Sequence, residues 1–279
     1  MSKTVCIVGL FLCPALSPGV LVLTSSGAGP SGLVAAKSLL HDVPKGTFDV
    51  TIFEAQPRIG GLWPLERTDG SRLVHPLMIA NQSRHTMQFS DLAWEDDAAQ
   101  FPKAWQVGRY LKRYLEAYCQ EATVNLGARV EEAEPITDPT PGWRVRSRSA
   151  DGDVMERTFD YLLVSSGYFG KPVIPTLLSN KTTVPVIHSS QYRDLSMLLK
   201  GDGTNGGKIL VVGGQMSGVE IASTIATHLS SAVNSPDDSP IANPDKYTIH
   251  HLMQRPVWVF PLHTSPSVRN SKSPTVEVD

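Results

Sequence analysis

The chain has 279 residues, of which 41% are hydrophobic, 19% charged and 7% aromatic. This composition provides a buried core and excludes a disordered chain, a collagen-like chain and a mini-protein. The formal net charge is -2, from 25 Lys and Arg against 27 Asp and Glu. Such a balance argues against nucleic acid or an anionic membrane surface as the partner, so we expect a small-molecule partner.

The cysteines and the N-terminal residues indicate the compartment. Cys6, Cys13 and Cys119 have neither CxxC nor metal-ligand spacing, which argues against a disulfide framework, a metal site and a dithiol relay and favours the cytoplasm. The apolar run 5–16 resembles a signal peptide, but residues 4–9 (TVCIVG) contain four β-branched residues and end in glycine, as in a buried strand. No segment reaches the roughly 18 continuous apolar residues that span a bilayer.

A strand, a glycine-rich turn, a helix and a second strand are predicted in that order. Residues 27–32 (GAGPSG) fit GxGxxG, an apolar stripe over 33–40 predicts the helix, and 48–54 (FDVTIFE) predict the strand. In this motif Gly27 permits a tight turn, Gly29 lets a pyrophosphate approach the backbone, and Gly32 lets helix and strand pack closely. Glu54 ends the strand 22 residues after Gly32, where a carboxylate would accept hydrogen bonds from a ribose. The alternative for Glu54 is a solvated strand-end charge.

The rest of the chain predicts a second unit of the same kind. We expect a core-packing helix over 105–121 with three tyrosines, a β-hairpin over 143–149 and 154–159, and a buried strand over 161–165. Residues 208–214 (KILVVGG) begin the second strand, glycine turn and helix, with the helix over 217–229, a polar loop over 230–245 and a strand over 247–253. The sequence therefore predicts an α/β chain with two Rossmann-like dinucleotide-binding domains, residues 1–175 and 176–279.

Five segments resemble, in the same order, the flavin-containing monooxygenase family: EAQPRIGGLW, HPLMIANQSRHTMQFSDLAW, LLVSSGYFGKPVIP, VVGGQMSGVE and QRPVWVFP. The resemblance implies an FAD-binding first domain and an NADPH-binding second domain. It implies that Asn81 lies beside the flavin, although Asn81 is also a typical turn residue. The further cofactor-binding residues that it implies, besides those of the first turn and Glu54, are Gly61, Leu62, Trp63, Tyr192, Gly213, Ser217, Gly218 and Arg255.

The chemistry that the resemblance implies is oxygenation. NADPH reduces FAD, O2 adds to give a hydroperoxyflavin, and a small substrate takes one oxygen atom. His188 and Tyr192 match the end of the fingerprint FxGxxxHxxxY, but Thr182 and Val184 stand at its Phe and Gly positions. Tyr192, where Baeyer-Villiger relatives carry Trp, favours heteroatom oxygenation, while His188 fits a polar residue at a domain junction equally well. Arg255 can pair with the 2′-phosphate of NADPH, or be a surface arginine.

Three features depart from the family pattern. Deleting residues 10–27 would give KTVCIVGAGPSGL, so these 18 residues have the form of an in-frame insertion, hypothetically a translated intron or gene-model error. Unless residues 20–23 replace the first strand, the insertion separates the phosphate-binding turn from that strand and should weaken FAD binding. Gln215 stands where the second glycine of the NADPH motif is expected. The family is longer, so we expect the NADPH domain to be incomplete.

These departures leave two alternatives to an FAD- and NADPH-dependent monooxygenase. The first is an inactive, truncated nucleotide-binding fragment of such an enzyme, which the insertion and the short chain favour. The second is a pyridine nucleotide-disulfide reductase, which has the same two-domain plan. That activity needs a redox dithiol, and the three cysteines do not provide one.

Overall fold

A computed structural model describes residues 3–8, 21–22, 27–68, 74–75, 78–169, 172–176, 184–198, 206–235 and 243–255. Cys13, residues 256–261 and the tail over 264–279 lie outside these ranges, and so does most of the 10–27 segment. The chain divides into two compact units, residues 1–173 and 174–279. Each unit contains a parallel sheet with helices, which confirms the predicted α/β, Rossmann-like fold.

The first unit is built on a parallel sheet with the strand order β4-β3-β1-β8. The strands are β1 (Lys3–Val8), β3 (Phe48–Glu54), β4 (Thr123–Leu126) and β8 (Tyr161–Val164). Strand β1 lies between β3 and β8, and Val5, Cys6 and Ile7 are buried. Residues 4–8 of the run TVCIVG therefore lie in a strand whose middle residues are buried, as predicted.

The described residues of this unit form three helical segments: α1 (Pro30–His41), the short α2 (Arg84–Met87) and α3 (Ala104–Tyr118). Gly29 is extended at the N-cap of α1, and Pro30 fills the first helical position, where a missing N–H costs nothing. Tyr110 and Tyr114 are buried on α3, and the hydroxyl of Tyr110 accepts from the Phe89 amide at 2.7 Å. Two of the three tyrosines of α3 therefore pack in the core, as predicted, and Tyr110 also holds the segment after α2.

An antiparallel sheet with the order β2-β5-β6-β7 completes the first unit. Its strands are β2 (Leu21–Val22), β5 (Arg129–Ile136), β6 (Gly142–Arg148) and β7 (Val154–Phe159). Strands β6 and β7 form the predicted hairpin. The arginines of β6 form ion pairs with glutamates of β5 across the exposed face: Arg144 with Glu134, Arg146 with Glu132 and Arg148 with Glu131. Val145 and Ser147 alternate with them and are buried.

The inserted segment does not supply the central strand. Leu21 and Val22 pair antiparallel with Ala133 and Glu132 at the edge of the second sheet. Strand β1 keeps the central position of the parallel sheet. The alternative in which residues 20–23 replace the first strand is therefore wrong, because β1 already pairs with strands on both of its edges.

The second unit contains a parallel pair, β9 (Gly207–Val212) and β10 (Tyr247–Leu252), and the helix α4 (Met216–Asn234). Its core comprises Tyr192, Leu195, Val211, Ile225 and Leu229. Helix α4 extends beyond the predicted residues 217–229, so the first part of the predicted loop is helical. The reason is that Ala232 is buried and continues the apolar stripe of the helix, which ends just before Pro236.

One face of the β9–β10 pair is apolar and exposed. The side chains of Leu210, Val212 and Leu252 on this face are 61%, 60% and 59% exposed. Parallel sheets normally have both faces covered. Among the described residues, this unit therefore presents an uncovered sheet face.

No helix among the described residues combines the length and apolarity needed to cross a membrane.

Candidate dinucleotide-binding sites

The first glycine turn lies directly beside the end of β3. The amide of Gly27 donates to the carbonyl oxygen of Phe53 at 3.1 Å, and residues 27–29 are buried. A Cβ atom on Gly32 would lie 1.8 Å from the carbonyl oxygen of Gly27, so any side chain there would clash with the turn. Gly32 therefore permits close packing of helix and turn, the role that the motif predicts.

The turn resumes the register of β1. In the second unit Val212 pairs with Leu252, and the next residue, Gly213, donates its amide to the Leu252 carbonyl at 3.0 Å. In the first unit Ile7 pairs with Ile52, so the residue after Val8 should donate to Phe53. Gly27 makes that bond. The glycine turn thus occupies the position that residue 9 would have in an uninterrupted motif, and the separation of the turn from β1 along the chain does not displace it.

Glu54 is fully buried and holds two backbone amides. Its Oε2 accepts from the Ala28 amide at 3.1 Å, and its Oε1 accepts from the Gln56 amide at 2.8 Å. The relative exposure of Glu54 is 0%. The alternative of a solvated charge is therefore wrong, because the carboxylate joins β3 to the glycine turn. A direct ribose contact stays a prediction, and it would require the neighbouring residues to move.

Residues 60–63 (GGLW) form a second turn against the first. The amide of Gly60 donates to the Ala28 carbonyl at 2.8 Å, and Gly60 has a φ of 100°, which favours glycine. A Cβ atom on Gly29 would lie 3.6 Å from the Cα atom of Gly61, so the two turns face each other with backbone only. A backbone-lined cradle at the N-terminus of a helix fits an anionic pyrophosphate, and the residues present therefore fit a dinucleotide such as FAD.

The other predicted residues of the first unit have different surroundings. Leu62 and Trp63 are half-buried within the second turn, whereas Asn81 is exposed in a bend after buried Ala80. Sequence reasoning missed Gly108, where a Cβ atom would lie 2.0 Å from the Pro64 carbonyl oxygen. Gly108 lets α3 pack against the end of the GGLW turn. A lone glycine inside a helix was the signal that could have found it.

The second glycine turn repeats the geometry of the first. Gly213 has a φ of 125°, and a Cβ atom on Gly218 would lie 1.8 Å from the Gly213 carbonyl oxygen. Gln215 is the exposed N-cap of α4, and Ser217 is exposed in its first turn. The turn is also held from β10, since His251 Nε2 lies 2.8 Å from the Gly213 carbonyl oxygen. Sequence reasoning missed His251, which carries no motif of its own.

Tyr192, His188 and Arg255 lie in three different settings. Tyr192 is buried in the core of the second unit, and burial and nearby Asp194 raise the pKa of its hydroxyl to about 12. His188 accepts the Ser190 amide through Nδ1 at 3.2 Å and thereby caps a 3-10 turn over Ser189–Gln191. Arg255 is exposed just beyond the end of β10. A cofactor contact of Arg255 stays a prediction. For Tyr192 the resemblance predicts such a contact, whereas its burial in the core favours a packing role.

The described cysteines are buried and unreactive in character. Burial raises the pKa of the Cys6 thiol well above its usual range and that of Cys119 to about 11. Neither therefore has the lowered pKa of a redox thiol. The described ranges hold no group of three His, Cys, Asp or Glu side chains suited to a metal ion.

Two strand–glycine turn–helix–strand units with the same close glycine contact define a dinucleotide-binding α/β protein of the Rossmann type. A family model described as flavin-binding monooxygenase-like matches residues 22–236, more than half of the chain. The chain belongs to this family of flavoprotein oxidoreductases. The match begins after β1 and includes both glycine turns.

Known proteins similar to this chain agree with that family. A flavin-containing monooxygenase, FMO GS-OX-like 6 of Arabidopsis thaliana, is 30% identical over 221 residues, which are 72% of this chain and 45% of that protein. The thiol-specific monooxygenase of Saccharomyces cerevisiae is 25% identical over 215 residues, 75% of this chain and 48% of that protein. The structure of S-allyl-L-cysteine S-oxygenase from Allium sativum has a TM-score of 0.61 and 20% identity, over 96% of this chain and 54% of that protein. The chain therefore spans about half the length of these relatives.

Proposed function

We propose that this chain forms the FAD- and NADPH-binding part of a monooxygenase that transfers one oxygen atom of O2 to a small organic substrate. The observation that carries the proposal is the repeated glycine geometry. Gly32 and Gly218 each leave room for a carbonyl oxygen 1.8 Å from where a Cβ atom would lie. A second dinucleotide unit is what a flavoprotein needs if it is to be reduced by a nicotinamide coenzyme.

The first unit would hold FAD. The N-terminus of α1 supplies amide groups and a positive dipole end for the pyrophosphate. Gly29 and Gly61 keep the cradle free of side chains, and Glu54 fixes the Ala28 amide at its base. Leu62 and Trp63 line the second turn. The Asn81 amide, which can both donate and accept hydrogen bonds, would orient groups beside the flavin.

The second unit would hold NADPH. Gly213, Ser217 and Gly218 surround the start of α4, and Arg255 follows the neighbouring strand β10. A guanidinium at this rim can make paired, charge-assisted bonds to the 2′-phosphate of NADPH. When bound, NADPH supplies a hydride to the flavin, and the reduced flavin activates O2.

We further propose a soft sulfur nucleophile as the substrate class. Two similar proteins are described as a thiol-specific monooxygenase and an S-allyl-L-cysteine S-oxygenase. Tyr192 stands where Baeyer-Villiger relatives carry Trp, and this supports heteroatom over carbonyl oxygenation. The proposal extends to cytoplasmic function with O2 and a small molecule as the reacting partners.

A second candidate function is a non-catalytic nucleotide-binding chain. The exposed apolar side chains of Leu210, Val212 and Leu252 favour it, because a complete Rossmann sheet covers both faces. The absorbance spectrum of the purified protein separates the two candidates. We expect flavin bands that bleach when NADPH is added without O2 and return with O2. A protein that retains flavin but is not reduced by NADPH would support the non-catalytic role, and one without flavin would overturn the proposed FAD site.

A further inference from the structure

Arg58 ties together the backbone of the GGLW turn. Its Nη1 donates to the carbonyl oxygens of Ile59, Gly61 and Trp63 at 3.2, 3.0 and 2.9 Å. The carbonyl of Gly61 also accepts from Gln56 Nε2 at 3.0 Å. One guanidinium nitrogen is therefore hydrogen-bonded to three carbonyl groups within residues 59–63.

The direction of the carbonyl groups that Arg58 binds determines the direction of the amide groups in the same peptides. In a trans peptide the C=O and N–H groups point in opposite directions. The Ile59 carbonyl faces Arg58, and the Gly60 amide on the other side of that peptide reaches the Ala28 carbonyl at 2.8 Å. By the same geometry, the Gly61 carbonyl faces Arg58, so the Leu62 amide is directed away from the guanidinium. Arg58 therefore holds the peptide whose Gly60 amide reaches the first glycine turn, and it leaves the Leu62 amide directed away from its own guanidinium.

We propose that Arg58 is a positioning residue for the FAD site. It acts through the backbone of residues 60–63 and holds them as a preformed wall opposite Gly29, with the Leu62 amide available as a donor to the dinucleotide. This inference rests on the proposed FAD site of the first unit. It assigns to Arg58 a role that the glycine motif itself does not contain.

The chain offers a matched control for this role. Nη1 of Arg84 donates to the carbonyl oxygens of Glu95, Asp96 and Ala98 at 2.8, 2.8 and 2.9 Å. Arg84 thus makes hydrogen bonds of the same kind, from one guanidinium nitrogen to three carbonyl oxygens, within the same unit. Its hydrogen bonds hold residues 95–98, whereas those of Arg58 hold the GGLW turn. A loss that is merely structural should therefore be shared by variants at both arginines.

The test compares FAD affinity in the full chain for the unmutated protein, Arg58→Met, Arg58→Lys and Arg84→Met. Removal of charge-assisted bonds that preform the wall should raise the FAD dissociation constant of Arg58→Met about tenfold or more. Arg58→Lys should recover much of the affinity, since an ammonium has three donors for three carbonyls. Arg84→Met should lower Tm comparably and leave the FAD dissociation constant unchanged.

Amide hydrogen exchange without FAD gives a second readout. Residues 59–63 should exchange faster in Arg58→Met, and residues 95–98 in Arg84→Met. Equal FAD affinity in Arg58→Met and the unmutated protein, or equal weakening in Arg84→Met, would overturn the role of Arg58 alone. If the unmutated protein binds no FAD, the proposed function fails as well, so the two failures are distinguishable. If Arg58→Met does not fold, Arg58→Lys alone decides: unchanged affinity with faster exchange over 59–63 would contradict the proposal.

Discussion

The amide of Gly27 donates to the carbonyl oxygen of Phe53 at 3.1 Å, in the hydrogen-bond position that belongs to the residue after Val8. Gly27 is 19 positions after Val8 along the chain, yet it has the register of a continuous motif. This hydrogen bond keeps the first glycine turn beside the end of β3 in spite of the inserted segment.

Gly29 and Gly32 should separate binding from folding. A methyl group at Gly29 would lie at ordinary contact distance from Gly61, whereas one at Gly32 would lie 1.8 Å from the Gly27 carbonyl oxygen. We expect Gly29→Ala to lower FAD affinity at least about tenfold, or roughly 1.4 kcal/mol, with little change in Tm. Gly32→Ala should lower Tm markedly. Flavin retention and thermal denaturation measure both effects, and unchanged flavin retention in Gly29→Ala would exclude its role in the cradle.

Removal of residues 10–27 should raise flavin content and Tm. Gly9 would then follow Val8 in the position that Gly27 now holds, and a short strand-to-helix connection would replace a long apolar one. The control is Leu21→Pro combined with Val22→Pro in the full chain, which breaks only the β2–β5 pairing. A transcript containing the segment, together with lower flavin content after deletion, would identify the insertion as a genuine structural element.

Arg255 should determine coenzyme preference. Arg255→Ala should weaken NADPH binding by about 1.5 to 3 kcal/mol and leave NADH nearly unaffected, because NADH lacks the 2′-phosphate. The rate of flavin reduction by each coenzyme measures this in protein that retains FAD. Equal losses with both coenzymes would make Arg255 structural, and no preference for NADPH in the unmutated protein would count against the monooxygenase itself.

Tyr192 should prove to be a packing residue. Its hydroxyl is buried without a hydrogen-bond partner among the described residues, so Tyr192→Phe removes an unsatisfied polar group while keeping the ring. We expect a free energy of unfolding that is unchanged or higher by up to about 1 kcal/mol, and unchanged NADPH affinity. Weaker NADPH binding with unchanged stability would instead give the hydroxyl a cofactor contact.

The hydrogen bonds between Thr4, at the N-terminal end of β1, and Asp160 should stabilise the protein to an extent that depends on pH. The Thr4 amide and hydroxyl donate to Asp160 Oδ2 at 2.6 and 2.7 Å, and these bonds hold the pKa of Asp160 below its usual value. A lowered folded-state pKa stabilises the protein above the unfolded-state value, and this stability is lost as pH falls through the folded-state value. The Tm difference between the unmutated protein and Asp160→Asn should therefore shrink in acid. A control substitution, Asp151→Asn in the exposed hairpin turn, should show no such trend.

The strands with short-range signals could be predicted from the sequence. Apolar, β-branched runs found β1, β3, β9 and β10, and the Ala-Asp-Gly-Asp turn found the β6–β7 hairpin. Strand β5 was missed because Glu131, Glu132 and Glu134 have no apolar alternation; their place in a sheet depends on the arginines of β6. Pairing between distant segments leaves no local periodicity to read.

The glycines of the candidate sites could be predicted from the sequence, whereas the residues that hold the glycine turns in place could not. GxGxxG spacing locates Gly27, Gly29 and Gly32 because each glycine answers a steric requirement along the local chain. Arg58 and His251 act on backbone carbonyls, and neither residue type signals such contacts. Glu54 was expected to accept hydrogen bonds from a ribose, with a solvated strand-end charge as the alternative. Its burial against the glycine turn depends on contacts between segments that are distant along the chain, which the sequence alone does not place.

The arginine–glutamate pairs between β5 and β6 also bear on the pairing of Leu21 and Val22, since these two residues pair with β5. A shift of one residue between these strands would turn Val145 and Ser147 outward and the arginines inward. The register is therefore determined by the buried side chains on one face and by the ion pairs on the other. Leu21 and Val22 therefore pair with the edge of a sheet whose strand register does not depend on them. An edge strand of two residues can be lost from such a sheet while the other strands stay paired. Among the described residues, the segment is thus attached through Leu21 and Val22 to the antiparallel sheet and not to the parallel sheet beside the first glycine turn.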